Sequence, residues 1–248
     1  MNMETQVLIL AGGLGKRMGG KIPKVLTQLR ERPLIQYTLD AVKKSGICKT
    51  PYIVIGSMAD MVQDALGKEY GYIVQKEQFG TGHAVMISKE QMRGKSKNVL
   101  VLYGDQPFVT SEAIQKLVDI HGRDNAILSM MTVDAPDFKD WREVFYGFGR
   151  IIRDSEGNLA SIRELKDCND SEKNITEVNP SFFCFDSVWL WRNIDKLKNS
   201  NAQKEYYLTD LLALAIAQGK TIATMQIDPK IAIGINTPEQ LAWAEKIV

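Results

Sequence analysis

Over the first half of the chain, short unbroken apolar runs alternate with longer segments whose apolar residues recur every three or four positions. Val7-Leu8-Ile9-Leu10 is such a run and ends in Gly12-Gly13. A strand buried on both faces has this continuous pattern, whereas a half-exposed strand alternates. Pro33 then opens a helical segment with Leu34, Ile35, Leu39 and Val42 on one side, closed by Gly46. Tyr52-Ile53-Val54-Ile55 predicts the next strand, and Met61, Val62, Ala65 and Leu66 a helix that stops at Gly67. Val99 to Tyr103 predicts a third strand, running straight into Gly104-Asp105. Ser111 is placed to cap a helix carrying Ile114, Leu117 and Val118, and Ala126 to Thr132 predicts a further strand. Alternation of this kind predicts an α/β fold with a mostly parallel, doubly wound sheet.

The pattern loosens between Asp134 and Asp186, where short strand candidates lie at Arg150-Ile151-Ile152 and from Ser181 to Phe185. This stretch, about 134–186, reads as a smaller β-rich lobe inserted into the same unit. A helix from about Thr209 to Gln218 ends at Gly219. Thr237-Pro238-Glu239-Gln240 has the form of a capping box with proline at the first helical position, so a terminal helix follows. With no internal repeat, low-complexity tract or proline-rich linker, residues 1–248 are expected to form a single domain.

Composition narrows the function. A formal charge of +1 makes no electrostatic case for nucleic acid or an anionic membrane as partner, so any useful positive charge must be local. Cys48, Cys168 and Cys184 are odd in number and far apart, suggesting neither a disulfide framework nor a zinc site. Val7 to Ala11 is too short for a signal peptide and no run reaches the ~18 apolar residues of a membrane span, so a cytoplasmic location is expected. The oligomeric state is left open.

The densest chemistry lies just after the first strand, in Leu10-Ala11-Gly12-Gly13-Leu14-Gly15-Lys16-Arg17-Met18, followed by Pro23-Lys24. Glycines there let backbone N–H groups approach phosphate oxygens without a Cβ in the way. It is not a P-loop, because Lys16 is followed by Arg17 and the upstream glycine is missing. Nor is it a dinucleotide fingerprint, because Met18 stands where the last glycine belongs. What remains is a glycine turn flanked by Arg17 and Lys24, suited to a triphosphate or to a plain strand–helix turn. A second glycine turn, Gly80-Thr81-Gly82, follows Gln75, whose amide offers the donor and acceptor that a pyrimidine edge requires. A polar surface loop explains it equally well, and His83 reads as packing at a helix start. Asp105 ends an apolar strand, where open α/β sheets bind ligands, and its carboxylate suits Mg²⁺ or a turn. Asn236, before the Thr237 cap, admits the same two readings.

Taken in order, these motifs resemble the sugar nucleotidyltransferases, most closely the uridyltransferase domain of the bacterial bifunctional N-acetylglucosamine-1-phosphate uridyltransferases. The resemblance runs over nearly the whole chain. It also takes in Phe148-Gly149-Arg150-Ile151, Glu164, Glu177-Val178-Asn179, Glu205 to Asp210 and Gly234-Ile235-Asn236. It implies a Rossmann-like fold with a sugar-binding lobe, and a nucleoside triphosphate and a sugar-1-phosphate as small-molecule substrates. It implies that Ala11, Gly12, Gly13, Gly15, Gln75, Gly80 and Thr81 hold the nucleotide, with Arg17 and Lys24 on the phosphates. Asp105 and Asn236 become ligands of Mg²⁺, with Arg17, Lys24 and Asp105 catalytic, and Tyr103, Gly149, Glu164 and Asn179 line the sugar site. UTP and N-acetylglucosamine-1-phosphate are the expected substrates. The alternatives are another hexose-1-phosphate, or a polyol or choline phosphate with dTTP or CTP, or a nucleotide-binding module without catalysis.

Two segments depart from the family pattern, both at the sugar end. Pro136 to Gly149 is longer and carries Trp141, Phe145, Tyr146 and Phe148, and the family's Asn-Thr-Gly is Asn179-Pro180-Ser181. The aromatic segment serves either as an enlarged lip of the site or as packing within the lobe. No acetyltransferase half follows the terminal helix, so acetyl transfer is not expected.

Overall fold

A computed structural model describes residues 3–247. In chain order the first half holds β1 (Met3–Ala11), a small hairpin of β2 (Gln28–Leu29) and β3 (Arg32–Pro33), α1 (Leu34–Ser45) and β4 (Tyr52–Ile55). It continues with α2 (Ala59–Leu66), β5 (Gly71–Val74), α3 (Thr81–Met86), α4 (Lys89–Met92), β6 (Ser96–Tyr103), α5 (Ser111–Arg123) and β7 (Leu128–Asp134). The lobe strands are β8 (Gly149–Arg153), β9 (Leu159–Arg163) and β10 (Glu177–Asn179). The chain then returns through β11 (Phe183–Asp186), α6 (Ser187–Asn193), α7 (Asp210–Ala217), β12 (Ile222–Gln226) and α8 (Pro238–Ala244).

The α/β fold with its inserted lobe is present, and its sheet is mixed. The strand order is β5-β4-β1-β6-β11-β7-β10-β8-β9, with β12 also on β7. β5, β4, β1 and β6 are parallel, as are β7 and β12. β11 runs antiparallel to both β6 and β7, and β7, β10, β8 and β9 pair antiparallel in turn. β11 therefore belongs to the centre of the sheet and not to the lobe. Its Phe183, Cys184 and Phe185 are almost wholly buried. Such an apolar run looks the same in either direction, so the sequence pattern does not reveal its sense.

Burial on both faces explains the continuous apolar strands. Along β1, Val7, Ile9 and Ala11 face one core and Leu8 and Leu10 the other. Helices α1 and α5 cover the first through Ile35, Leu39, Val42, Ile114 and Leu117. Helices α3, α6 and α7 cover the second through Val85, Leu190, Leu211 and Leu212. Each such side chain contributes about 1.5–3 kcal/mol by leaving water, so the parallel centre of the sheet is firmly held.

Two local expectations need correction. The strand expected at Ala126 to Thr132 lies two residues later, because its pairing with β12 runs from Leu128↔Ile222 to Thr132↔Gln226. Helix α5 is capped by Thr110, whose Oγ1 accepts from the Ala113 N–H at 3.1 Å. Thr110 has the extended backbone a cap requires, while Ser111 is already helical and turns its hydroxyl to Glu112. The capping residue of α8 is the expected Thr237, with Oγ1 accepting from the Gln240 N–H at 3.3 Å.

Candidate active site

β1, β4 and β6 are parallel, so their C-terminal ends, Ala11, Ile55 and Tyr103, share one edge of the sheet. Beyond that edge the glycine loop passes through a 3-10 turn, Lys16–Met18, and a second one, Lys24–Leu26. Gly15 is left-handed (φ +62°), and a Cβ on it would lie 3.0 Å from Lys24 Cβ and 3.2 Å from Lys24 Cα. Glycine here lets the loop close directly onto Lys24. From the other side, the Ile235 N–H donates to the Asp105 carbonyl at 2.9 Å and lays residues 234–236 beside the end of β6. The Lys24 ammonium then pairs with the Asp105 carboxylate and donates to Asn236 Oδ1 at 2.8 Å. The side chains of Lys24 and Asp105 are only 15% and 13% exposed, so water screens this pair far less than a surface one.

A cavity of about 370 Å³ opens between the glycine loop and the start of α3. Ala11, Gly12, Gly13, Lys24, Gln75, Gly80, Thr81, Tyr103, Asp105 and Asn236 are among its lining residues. Gln75 is held by main chain and side chain together: its N–H donates to the Ile55 carbonyl at 2.8 Å. Its Nε2 donates to the Gly80 carbonyl at 3.3 Å and lies 3.0 Å from His83 Nδ1. His83 thus contacts Gln75 as well as the rings of Phe79 and Tyr206. The second glycine turn is sewn to the segment before α7. Tyr206 N–H donates to Phe79 O at 2.8 Å, Gly82 N–H to Tyr206 O at 2.7 Å, and Leu208 N–H to Thr81 Oγ1 at 3.2 Å.

Gly80 has φ +99°, and a Cβ there would stand 2.8 Å from both Glu205 Cβ and the Tyr206 carbonyl. Gly80→Ala is therefore expected to cost about 1–3 kcal/mol of stability. In a chain of this size that lowers the thermal midpoint by roughly 2–4 °C per kcal/mol, which thermal unfolding followed by circular dichroism will register. An unchanged midpoint would show that the turn is free to move away from residues 205–206.

A second, smaller cavity of about 160 Å³ adjoins the first and shares Tyr103, Asp105 and Asn236 with it. Its own walls include Gln106, Phe148, Gly149, Glu164, Asn179 and Ser181. Enclosure raises the Glu164 carboxyl above the ordinary carboxylate range, Asp210 and Asp167 adding to the effect and the Thr209 hydroxyl, 3.0 Å away, opposing it. Asn179 Oδ1 accepts from the Ser181 N–H at 2.9 Å in a tight turn where Ser181 has φ +69°.

All the expected site residues except Gly15 and Arg17 line one or both cavities. Gly15 acts through Lys24, as described. Arg17 is exposed, reaches the site through Asn236 Oδ1 at 3.3 Å, and borders a separate cavity beside Trp141 and Trp243. The aromatic segment before Gly149 is mainly packing. Trp141 stacks on Trp243 at 5.4 Å, Phe145 is fully buried, and Phe138 and Tyr146 flank the buried Arg150. Only Phe148 and Gly147 of this segment reach the second cavity. Gln78, Glu205 and Gln106 also line the two chambers. Gln78 donates to the Gly12 carbonyl and Glu205 abuts Gly80, contacts that bring distant segments together and have no local signature.

A glycine-walled chamber at the carboxyl edge of parallel strands adjoins a polar chamber beside the lysine–aspartate pair, the place where open α/β sheets bind small-molecule ligands. The chain belongs to the MobA-like NTP transferase domain family, which it matches over residues 7–166. It is 38% identical over 248 residues to the bifunctional protein GlmU of Caldanaerobacter subterraneus subsp. tengcongensis, covering 99% of this chain and 52% of that protein. It is 39% identical over 246 residues to the bifunctional protein GlmU of Trichlorobacter lovleyi, covering 97% and 51%. The chain thus spans about half the length of the curated relatives it matches. Its fold is shared with a putative glucose-1-phosphate thymidylyltransferase from Bacillus anthracis, solved with sucrose (TM-score 0.75, 20% identity, 98% of this chain and 94% of that one). UDP-glucose pyrophosphorylase complexed with UDP-glucose has it too (TM-score 0.77, 16% identity, 99% and 98%). Among the described residues no helix is long and apolar enough to cross a membrane.

Proposed function

We propose that this chain transfers a nucleotidyl group from a nucleoside triphosphate, UTP, to a sugar-1-phosphate, N-acetylglucosamine-1-phosphate, releasing pyrophosphate. The observation that carries this reading is the meeting of two chambers at Tyr103, Asp105 and Asn236, with Lys24 of the larger chamber held against the last two. One chamber has the glycine walls a nucleotide needs and the other is small and polar, so two phosphorylated substrates in them abut at the shared wall. The names of the relatives and structural neighbours, and the order of the motifs, support it.

Chemically, an anionic oxygen of the sugar phosphate attacks the α-phosphorus as the bond to the β-phosphate oxygen breaks. Pyrophosphate leaves with that electron pair. No protein nucleophile is required, and the chain's part is positioning and charge stabilisation. Lys24, fixed between Asp105 and Asn236, places a positive charge at the shared wall. The glycine amides of residues 12 and 13 offer donors without side-chain obstruction. The Asp105 carboxylate and the Asn236 amide oxygen converge on one cationic group, Lys24 Nζ, and a hard-oxygen pair of this kind fits Mg²⁺. Held there, Mg²⁺ supplies charge neutralisation at the phosphates.

The choice of base follows from Gln75. Its Nε2 faces the Gly80 carbonyl, which can only accept, so the amide is oriented with Oε1 away from it. That Oε1 lies beside Gly12, 3.0 Å from where a Cβ would stand, on the chamber wall. An acceptor there favours the imide N–H of uracil or thymine over the bare ring nitrogen of cytosine. Purified protein should therefore release pyrophosphate from UTP and N-acetylglucosamine-1-phosphate in the presence of Mg²⁺, with CTP at least about tenfold poorer in kcat/KM. The assay panel adds dTTP, glucose-1-phosphate, a polyol phosphate and choline phosphate. No pyrophosphate from any pairing removes the reading, and a preference for CTP removes the role given to Gln75. A cytoplasmic location belongs to the same proposal.

A further inference from the structure

Glu205 lies in the segment before α7, is half-buried and lines the larger chamber. Its main chain is tied down: the N–H donates to Asn201 Oδ1 at 3.1 Å, and the carbonyl accepts from Asn201 Nδ2 at 2.6 Å. A Cβ on Gly80 would lie 2.8 Å from Glu205 Cβ and 3.2 Å from its Oε2, so the carboxylate rests against the second glycine turn. The chamber's other carboxylate, Asp105, is paired with Lys24, whereas the hydrogen bonds of Glu205 among the described residues run through its main chain. Among the described residues, the buried side-chain polar atoms without a partner are Gln106 Oε1 and Trp191 Nε1, so the unpaired Glu205 oxygens are open to solvent. Like charges repel, so an unpaired anion in a triphosphate chamber is tolerated only at the nucleoside end. Glu205 is at that end: the Gly80 it touches also receives the Gln75 amide, while Lys24 sits with Asp105 and Asn236.

A carboxylate can only accept hydrogen bonds. Beyond the imide N–H, assigned above to Gln75 Oε1, the donors of UTP are its ribose 2′- and 3′-hydroxyls. The two oxygens of one carboxylate match such a cis pair, as acidic residues on other open α/β sheets do for a ribose. We propose that Glu205 is a specificity-determining residue for the nucleotide, its carboxylate accepting from the ribose hydroxyls. This rests on the transferase reading and deepens it, since it favours UTP over dTTP by the sugar and not by the base. A deoxyribonucleotide leaves one oxygen without its donor and keeps the repulsion between Glu205 and the phosphates. Discrimination should then appear in kcat/KM for the nucleotide and not in KM for the acceptor.

The test holds base and acceptor constant and varies the ribose. Wild type, Glu205→Ala and Glu205→Gln are compared on UTP, 2′-deoxy-UTP and 3′-deoxy-UTP, with N-acetylglucosamine-1-phosphate and Mg²⁺. In wild type each deoxynucleotide should be about tenfold or more poorer than UTP in kcat/KM, the scale of a lost hydrogen bond to a charged group. In Glu205→Ala, UTP should fall further than either deoxynucleotide, bringing all three within about threefold of one another, while acceptor KM stays put. Glu205→Gln keeps one acceptor oxygen, should discriminate to an intermediate degree, and stands in if the alanine variant does not fold. Both variants keep the Cβ that packs on Gly80, and thermal unfolding verifies that the turn survives. Wild type using the deoxynucleotides as well as UTP, equal losses on all three in the variants, or an undiminished penalty in both variants overturns the proposal while the transferase reading survives. Wild type inactive on UTP with every acceptor of the assay panel removes both.

Discussion

Asp105→Ala is expected to lower turnover at least about a hundredfold, the cost usually seen when one main electrostatic element of a site is lost. The size follows from position. Asp105 sits at the carboxyl edge of β6, on the wall common to both chambers, with its side chain only 13% exposed and paired to Lys24. Removing the carboxylate strips the Lys24 ammonium of its counter-charge and deletes one of the two oxygens proposed to hold Mg²⁺. Asp105→Asn separates these losses, because an amide oxygen of the same reach still accepts from Lys24 while carrying no charge. Its turnover should fall as well, and raising the Mg²⁺ concentration should recover part of it, which the alanine variant should not show. Steady-state pyrophosphate release across a Mg²⁺ titration, with thermal unfolding to verify folding, makes the comparison. Unaltered turnover in Asp105→Ala would falsify the role assigned to it.

The features legible in the sequence are those whose cause is local. Val7 to Leu10 reads as a doubly buried strand because each face of β1 meets its own helix layer, so every residue is apolar. Gly46 ends α1 because the chain turns left-handed there, with φ +70°. Gly12, Gly13 and Gly80 read as close-approach positions because a side chain at each would intrude on the cavity or its walls. The features that stayed hidden depend on distant segments. The antiparallel sense of β11 is decided by the route back from the lobe, not by Phe183-Cys184-Phe185 itself. Thr110 and Ser111 are equally good capping residues by type, and only the backbone at Thr110 chooses between them. Gln106 differs from any surface glutamine only through the carbonyls of Pro180 and Ala232, far along the chain. Arg17 and Lys24 look interchangeable as cations, yet only Lys24 reaches the chamber wall.

That difference between the two cations leads to the other large effect. Lys24→Met should lower kcat by about 10²–10³-fold, since it deletes the positive side chain that lines the larger chamber and is held against Asp105 and Asn236 of the shared wall, where charge builds on the departing pyrophosphate. The nucleotide KM should move much less, because the glycine loop, Gln75 and Gly80 still frame the base and phosphates. Lys24→Arg should rescue little. Gly15 packs on the Lys24 Cα and Cβ, and the ammonium fits as a point charge between Asp105 and Asn236, where a planar guanidinium needs more room. Lys24 and Asp105 act as a unit, so their effects should not multiply. The double variant Lys24→Met with Asp105→Asn should be about as slow as the worse single variant, and nearer wild type in thermal stability than Lys24→Met alone. The reason is that Lys24→Met by itself leaves an uncompensated carboxylate in a poorly solvated place, and the second change removes it. Turnover numbers and unfolding midpoints for the four proteins complete the cycle. A double variant slower by the product of the two single losses would mean that the pair seen in the structure is not a functional unit.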